Sequence, residues 1–120
     1  MMTELDAAAQ LAAISQWVDD APENLARDPE ARRWGRLAKV AEEAGEVISA
    51  FIGATGQNPR KGVCASEAEV VKELMDVAVT ALCAAEHMTG NHGQSLGLLF
   101  EHILFLHKRA QAVVAREAAR

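Results

Sequence analysis

The chain has 120 residues, 50% of them hydrophobic and 24% charged, the composition of one globular domain spanning residues 1–120 around a single core. A net charge of −5 argues against a basic face for nucleic acid polymers, and the apolar runs fall short of a membrane span. Cys64 and Cys83 have neither disulfide-framework nor zinc spacing, and Met1 to Asp6 lack the basic start of a secretory signal, so a reducing, cytoplasmic location is expected.

In chain order, Leu11, Ile14 and Val18 recur at helical spacing and predict a first helix from about Thr3 to Asp19, ended before Pro22. Asp28-Pro29-Glu30 supplies a cap, a first-turn proline and a first-turn acid, and opens a second helix reaching about Gly53. On that helix Leu37, Val40, Ala41, Ala44, Val47, Ile48 and Phe51 share an apolar face. Thr55 to Gly62 is rich in breakers and reads as a loop. Ser66 and Glu69 have capping-box spacing and start a third helix, closed by Gly90 and Asn91; a fourth runs from about Gln94 to the C-terminus. No strand-like alternation or repeat occurs. The expected fold is all-α, most simply four helices.

Two acidic pairs stand out. Glu43 and Glu46, with Glu42 beside them, lie three apart on the second helix, and Glu73 and Asp76 lie three apart on the third. The 26 residues between Glu46 and Glu73 suffice to finish one helix, turn and return antiparallel. The four carboxylates would then converge, which is unfavourable without a cation, and Mg²⁺ (or Mn²⁺) suits an all-oxygen set. Asp76 is the more telling member. The third helix is apolar nearly all round from Leu74 to Ala85, so a burial is expected there that an acid tolerates only with a partner. Lys39, Glu43, Glu46 and Ala50 form a stripe on one helix; Glu69, Glu73, Asp76, Thr80 and His87 form one on the other, and the two would bound a cleft. A plainer reading of the glutamates is a solvated face on which Lys39 pairs with Glu43, and the capping box already accounts for Glu69.

The pattern Glu-Glu-x-x-Glu followed by Glu-x-x-Asp resembles the MazG-type all-α nucleoside triphosphate pyrophosphohydrolases, over about Trp34 to His87. The resemblance implies a four-helix MazG-like bundle, oligomeric as a homodimer or homotetramer, that hydrolyses a nucleoside triphosphate to the monophosphate and pyrophosphate, with a role in clearing surplus or damaged nucleotides. It implies Mg²⁺ ligation by Glu43, Glu46, Glu73 and Asp76, with Glu42 supporting the metal or serving as general base. Met75 departs from the small residue that many members carry there. Arg60 and Lys61, in the loop joining the metal-bearing helices, are candidate phosphate contacts together with Lys39; a solvated loop is the plain alternative for the pair. Trp34 is a candidate for stacking on the nucleobase, with a core or interface position as the alternative, which applies more strongly still to Trp17. The four histidines have no ligand spacing and read as helix-end or surface residues. On the fourth helix, Leu96, Leu99, Phe100 and Ile103 form one apolar face and Leu98, Phe105 and Ala112 another, which points to a second copy as partner. Two further functions fit the residues: a phosphoribosyl-ATP pyrophosphohydrolase cleaving the same bond, and a non-catalytic helical interaction module that binds metal for assembly.

Overall fold

Capping chemistry sets where each helix begins. In the computed structural model, which describes residues 1–120, Thr3 and Asp6 exchange hydrogen bonds in a capping box that opens α1 (Glu4–Asp19). Pro22 opens α2 (Pro22–Leu25), a single turn. Asp28 accepts from the Ala31 N–H at 2.9 Å and starts α3 (Pro29–Thr55) with proline in its first turn. Ser66 and Glu69 form the expected capping box of α4 (Glu67–Thr89), and α5 runs Ser95–Ala118. The all-α expectation holds, but the helices number five: the segment between Asp19 and Asp28 is short enough to read as a connection, yet Pro22 nucleates a turn in it.

The helix ends are equally explicit. Gly56 ends α3 and Gly90 ends α4, both with left-handed backbone (φ 68° and 94°), and Asn91 follows at φ 63°, a conformation asparagine tolerates better than most side chains. The returning loop lies close on α3: the Cys64 N–H donates to the Gly53 carbonyl at 2.9 Å. A Cβ at Gly53 would sit 3.0 Å from Ala65 Cβ, so the residue must be small.

α3 and α4 pack antiparallel along most of their length, α1 lies against α4, and the start of α5 touches both α1 and α4. The face that α3 turns inward carries Arg36, Val40, Glu43, Val47, Ala50 and Gly53, at steps of three and four. Its stripe of Leu37, Ala41, Ala44, Ile48 and Phe51 is exposed, as are Val71, Leu74, Met75 and Val79 on α4. The expectation that α4 is buried all round is therefore corrected: within one chain only its inward side is covered. Beyond Leu99 every residue of α5 is exposed, including Phe100, Ile103, Leu104, Phe105 and Leu106. The radius of gyration, 18.3 Å, exceeds the roughly 13–14 Å of a compact chain this long, because α5 leaves the body. No helix is long and apolar enough to cross a membrane.

Candidate metal centre and adjoining cavity

Antiparallel packing of α3 on α4 brings Glu43, Glu73 and Asp76 together, with one carboxylate oxygen of each within 4.8 Å of the others. All three are partly shielded from solvent. Glu46, one turn beyond Glu43, is exposed and stands outside this group, and so does Glu42, whose side chain is 61% exposed. Two lysines flank the cluster. Lys39 Nζ lies 3.2 Å from Glu42 and 3.3 Å from Glu43; Lys72 Nζ lies 2.9 Å from Asp76 and 3.8 Å from Glu73. Hydrogen bonding to Glu42 and then Glu43 raises the Lys39 pKa, the bond to Asp76 raises that of Lys72, and the same Lys72 bond holds Asp76 below the usual carboxylate range. Asp76 is thus not an acid sunk in hydrocarbon. Its side chain is 43% exposed and finds Lys72 at i−4, a partner legible in the sequence that the emphasis on the surrounding apolar run concealed.

Next to the cluster, a cavity of about 490 Å³ opens between α1, α3 and α4, with α2 at its rim. Ile14, Val18, Val79 and Cys83 give it apolar walls; Lys39 and Thr80 form the end nearest the carboxylates, since Thr80 is one turn from Asp76 and Lys39 one turn from Glu43. Arg27, Arg32 and Arg36 line the remainder. Arg32, Arg36, Lys39, Glu43 and Glu46 follow one another along α3 at steps of four, three, four and three, so the helix face grades from cationic, where it lines the cavity, to anionic beyond it.

Its floor is a buried polar network. Arg36, 8% exposed, donates through Nη2 to the Ser15 carbonyl and to Ser15 Oγ (2.9 Å) and lies 3.1 Å from Asp19 Oδ1. Asp19 also accepts from His87 Nδ1 at 2.9 Å and from Asn91 Nδ2 at 2.8 Å. Ser15, fully buried, has its Oγ 2.6 Å from Asn91 Oδ1 and 3.1 Å from the Cys83 carbonyl. Burial alone would raise the Asp19 pKa; the bonds from His87, Asn91 and Arg36 outweigh it and leave the carboxyl below its ordinary value. Burial pushes the Cys83 thiol up, as suits an inert packing residue. His87 is a helix-end residue, as expected of it, but half-buried and bonded to Asp19 instead of free at the surface. Arg36 lies one turn before Lys39 on the same face of α3, whereas Ser15 and Asp19, themselves four apart, come from a different helix whose register against α3 the sequence does not give.

The other candidates lie apart. Trp34, 66% exposed, lines a second hollow with Pro29, Glu30, Arg33, Leu37 and Met88, and no aromatic ring lines the cavity beside the carboxylates. Trp17 is exposed on α1. Arg60 and Lys61 sit in an exposed turn closed by the Lys61 and Gly62 N–H groups donating to the Asn58 carbonyl, and they line neither hollow. The basic groups that line the cavity are Lys39, Arg32 and Arg36 on α3 and Arg27 in the link between α2 and α3.

Comparison with protein-family models, curated protein sequences and solved structures returns no match. The reading of the site therefore rests on its residues and their geometry.

The donor set fits a hard divalent cation. It is all oxygen, it comes from two rigid helices, and three carboxylates at this spacing leave room for further ligands from water or phosphate, as Mg²⁺ requires.

Proposed function

We propose that the protein is a divalent-cation-dependent nucleoside triphosphate pyrophosphohydrolase of the MazG type, producing a nucleoside monophosphate and pyrophosphate. The observation that carries this reading is the convergence of Glu43, Glu73 and Asp76 one helical turn from Lys39 and Thr80, which line a neighbouring cavity with apolar walls and cationic groups. Glu43, Glu73 and Asp76 would hold Mg²⁺, or Mn²⁺ in its place, and Glu46, one turn from Glu43, would be the fourth carboxylate available to it. When bound, the cation neutralises triphosphate charge and makes water more acidic.

The chain's own groups perform the rest. Lys39, which lines the cavity and pairs with Glu42 and Glu43, and Lys72, which pairs with Asp76, are the cationic groups placed to contact phosphate oxygens. Glu42, exposed and adjacent to Glu43, accepts the proton of the attacking water. The water oxygen bonds to the α-phosphorus, the bond from that phosphorus to the bridging oxygen breaks, and pyrophosphate departs with the electron pair. Ile14, Val18 and Val79 offer apolar contact to the nucleoside, and the Asp19–Arg36–Ser15 network fixes the cavity floor. Arg60 and Lys61 contribute only if the loop that carries them closes toward the phosphates.

Assembly is part of the proposal. A folded monomer of 12.9 kDa exposes about 6,300 Å², whereas this chain exposes 8678 Å². The excess, roughly 2,400 Å² per chain, is what an obligate interface covers, and a second copy bringing its own α3 and α5 stripes matches it in chemistry. This excess supports a homodimer or homotetramer as the working form. The exposed apolar area also suits the alternative of a helical interaction module in which metal serves only assembly. Incubating the protein with a panel of NTPs and dNTPs plus Mg²⁺, with products resolved by phosphorus NMR, separates the two. The proposal expects pyrophosphate from a preferred nucleotide and none after chelation; orthophosphate as the sole primary product, or no turnover of any nucleotide, overturns it.

A further inference from the structure

The hollow lined by Trp34, Leu37 and Met88 plays no part in the proposed chemistry. It holds about 480 Å³ and meets α3 through Glu30, Arg33, Trp34 and Leu37, whereas the cavity beside the carboxylates meets α3 through Arg32, Gly35, Arg36 and Lys39. No residue of α1 lines it, so it is set into the face of α3 and α4 turned away from α1.

That face is patterned for another helix. Glu30, Trp34, Leu37, Ala41, Ala44, Ile48 and Phe51 recur along α3 at alternating steps of four and three, the seam spacing of paired helices, and all of them are exposed. Bulk is symmetric about the middle: Ala41, Ala44 and Gly45 are small, and Leu37 and Phe51 stand seven positions to either side of Ala44. Small residues at a crossing let helix axes approach to about 8 Å. Antiparallel to a second copy of itself, the seam sets Ala41 against Ile48 and Leu37 against Phe51, the isologous contact of a two-fold dimer. Parallel pairing would set Ala41 against Ala41 and Glu30 against Glu30, leaving a gap and a like-charge pair.

Charge agrees with the antiparallel direction. Glu30 lies fourteen residues before Ala44 and Asn58 fourteen after it, so a second copy brings its Asn58 to Gly62 turn to the start of α3. Glu30, and Arg60 and Lys61 in that turn, have no ion-pair partner within their own chain. The surface exposed beyond that of a folded monomer, roughly 2,400 Å² per chain, is enough for such a contact.

We propose that α3 pairs with α3 of a second copy, antiparallel about a two-fold axis at Ala44, with Phe51 of each copy seated in the Trp34, Leu37 and Met88 hollow of the other. Arg60 and Lys61 of each copy then meet Glu30 of the other. The occupant of the hollow is a protein side chain and not a nucleobase, and the basic turn serves the subunit contact. This inference rests on the assembly part of the proposed function and deepens it, and it requires no catalytic step.

Cysteine cross-linking of the full chain reads the direction of the pairing. In a Cys64→Ser background, with Cys83 buried, Ala44→Cys should form a disulfide-linked dimer under oxidised glutathione because its two thiols meet at the axis. Leu37→Cys should not, since its two copies stand about 21 Å apart along the helices, and neither should Ser49→Cys, which is exposed but off the seam. An equimolar mixture of Leu37→Cys and Phe51→Cys should cross-link. Phe51→Ala should raise the dimer dissociation constant at least about tenfold by sedimentation, with helical content unchanged. Glu30→Lys should weaken the dimer, and adding Arg60→Glu/Lys61→Glu should restore it. Leu37→Cys linking to itself, Ala44→Cys remaining unlinked, or Phe51→Ala associating as tightly as wild type overturns the inference. Phosphorus NMR of NTP turnover on the same protein separates the two readings: turnover without the Ala44→Cys link overturns the interface alone, and the link without turnover overturns the enzyme reading alone. A protein that is monomeric at every concentration overturns this contact together with the proposed assembly.

Discussion

Glu86 shows how one residue positions a whole helix. It is fully buried, and its carboxylate accepts the Gly93 N–H at 2.8 Å and the Ser95 N–H at 2.7 Å, filling the capping role that Gln94 leaves empty at the start of α5. Burial raises its pKa, and the bonds from Ser95 and Gly93 more than reverse that, so the folded value lies below the ordinary 4.5. A depressed folded pKa means that the stability it contributes is present above the unfolded value and is lost as pH falls through the folded one. Glu86→Gln should therefore destabilise the protein by about 1–3 kcal/mol at neutral pH, since the amide oxygen can accept from only one of the two N–H groups and the amide nitrogen turns a donor toward the other. The deficit should shrink below pH 4.5, where wild type begins to lose its own advantage. Urea melts at matched protein concentration check this, and identical wild-type and variant midpoints at pH 7 would show that α5 is placed by packing alone. In sequence Glu86 is one acid on an apolar helix, indistinguishable from Asp76, which sits 43% exposed beside Lys72. Spacing reveals which acids share a face; it does not reveal which of them points at a helix terminus contributed by a later turn.

Helix boundaries were the most legible feature because each is set by local chemistry. Asp28-Pro29, Ser66 with Glu69, and Gly90 act within four residues of themselves, and all three work as expected. Which face packs inward was less legible. On α3 the apolar face from Leu37 to Phe51 reads as a core face, yet only Val40 and Val47 of it turn inward, beside Arg36 and Glu43, and Leu37, Ala41, Ala44, Ile48 and Phe51 are left in solvent. Periodicity marks surface that needs covering without saying whether the cover is the same chain. On the proposed assembly, the stripe meets another copy. Ile48→Glu would place an unpaired charge in that contact at a cost of about 3 kcal/mol or more, and sedimentation should show a shift toward the protomer with loss of thermal stability. An unchanged mass and melting curve would leave the stripe solvent-exposed in the working protein and remove α3 from the interface.

For the molecule as a whole, a small buried core, an extended α5 and a large exposed apolar surface imply that fold, assembly and site are coupled. The metal candidates lie on the same two helices that present the uncovered stripes, so on the proposed assembly subunit contacts would stiffen the scaffold that carries Glu43, Glu73 and Asp76. The acidic pairs were legible because helical spacing and an antiparallel return are simple consequences of chain geometry. The arginine lining of the cavity was not, because Arg27 reaches it only through the short α2 turn. Central to the account is that the carboxylate cluster is a divalent-cation site, and thermal melts of wild type and Asp76→Asn at matched oligomer concentration, with and without Mg²⁺, test it most directly. Asp76→Asn gives up an exposed pair with Lys72 but relieves repulsion with Glu73, so without metal it should melt close to wild type. Mg²⁺ at saturating concentration should raise the wild-type melting temperature by several degrees through mass action and the variant's far less. Equal Mg²⁺ shifts in the two proteins, or none in wild type, would contradict the assignment.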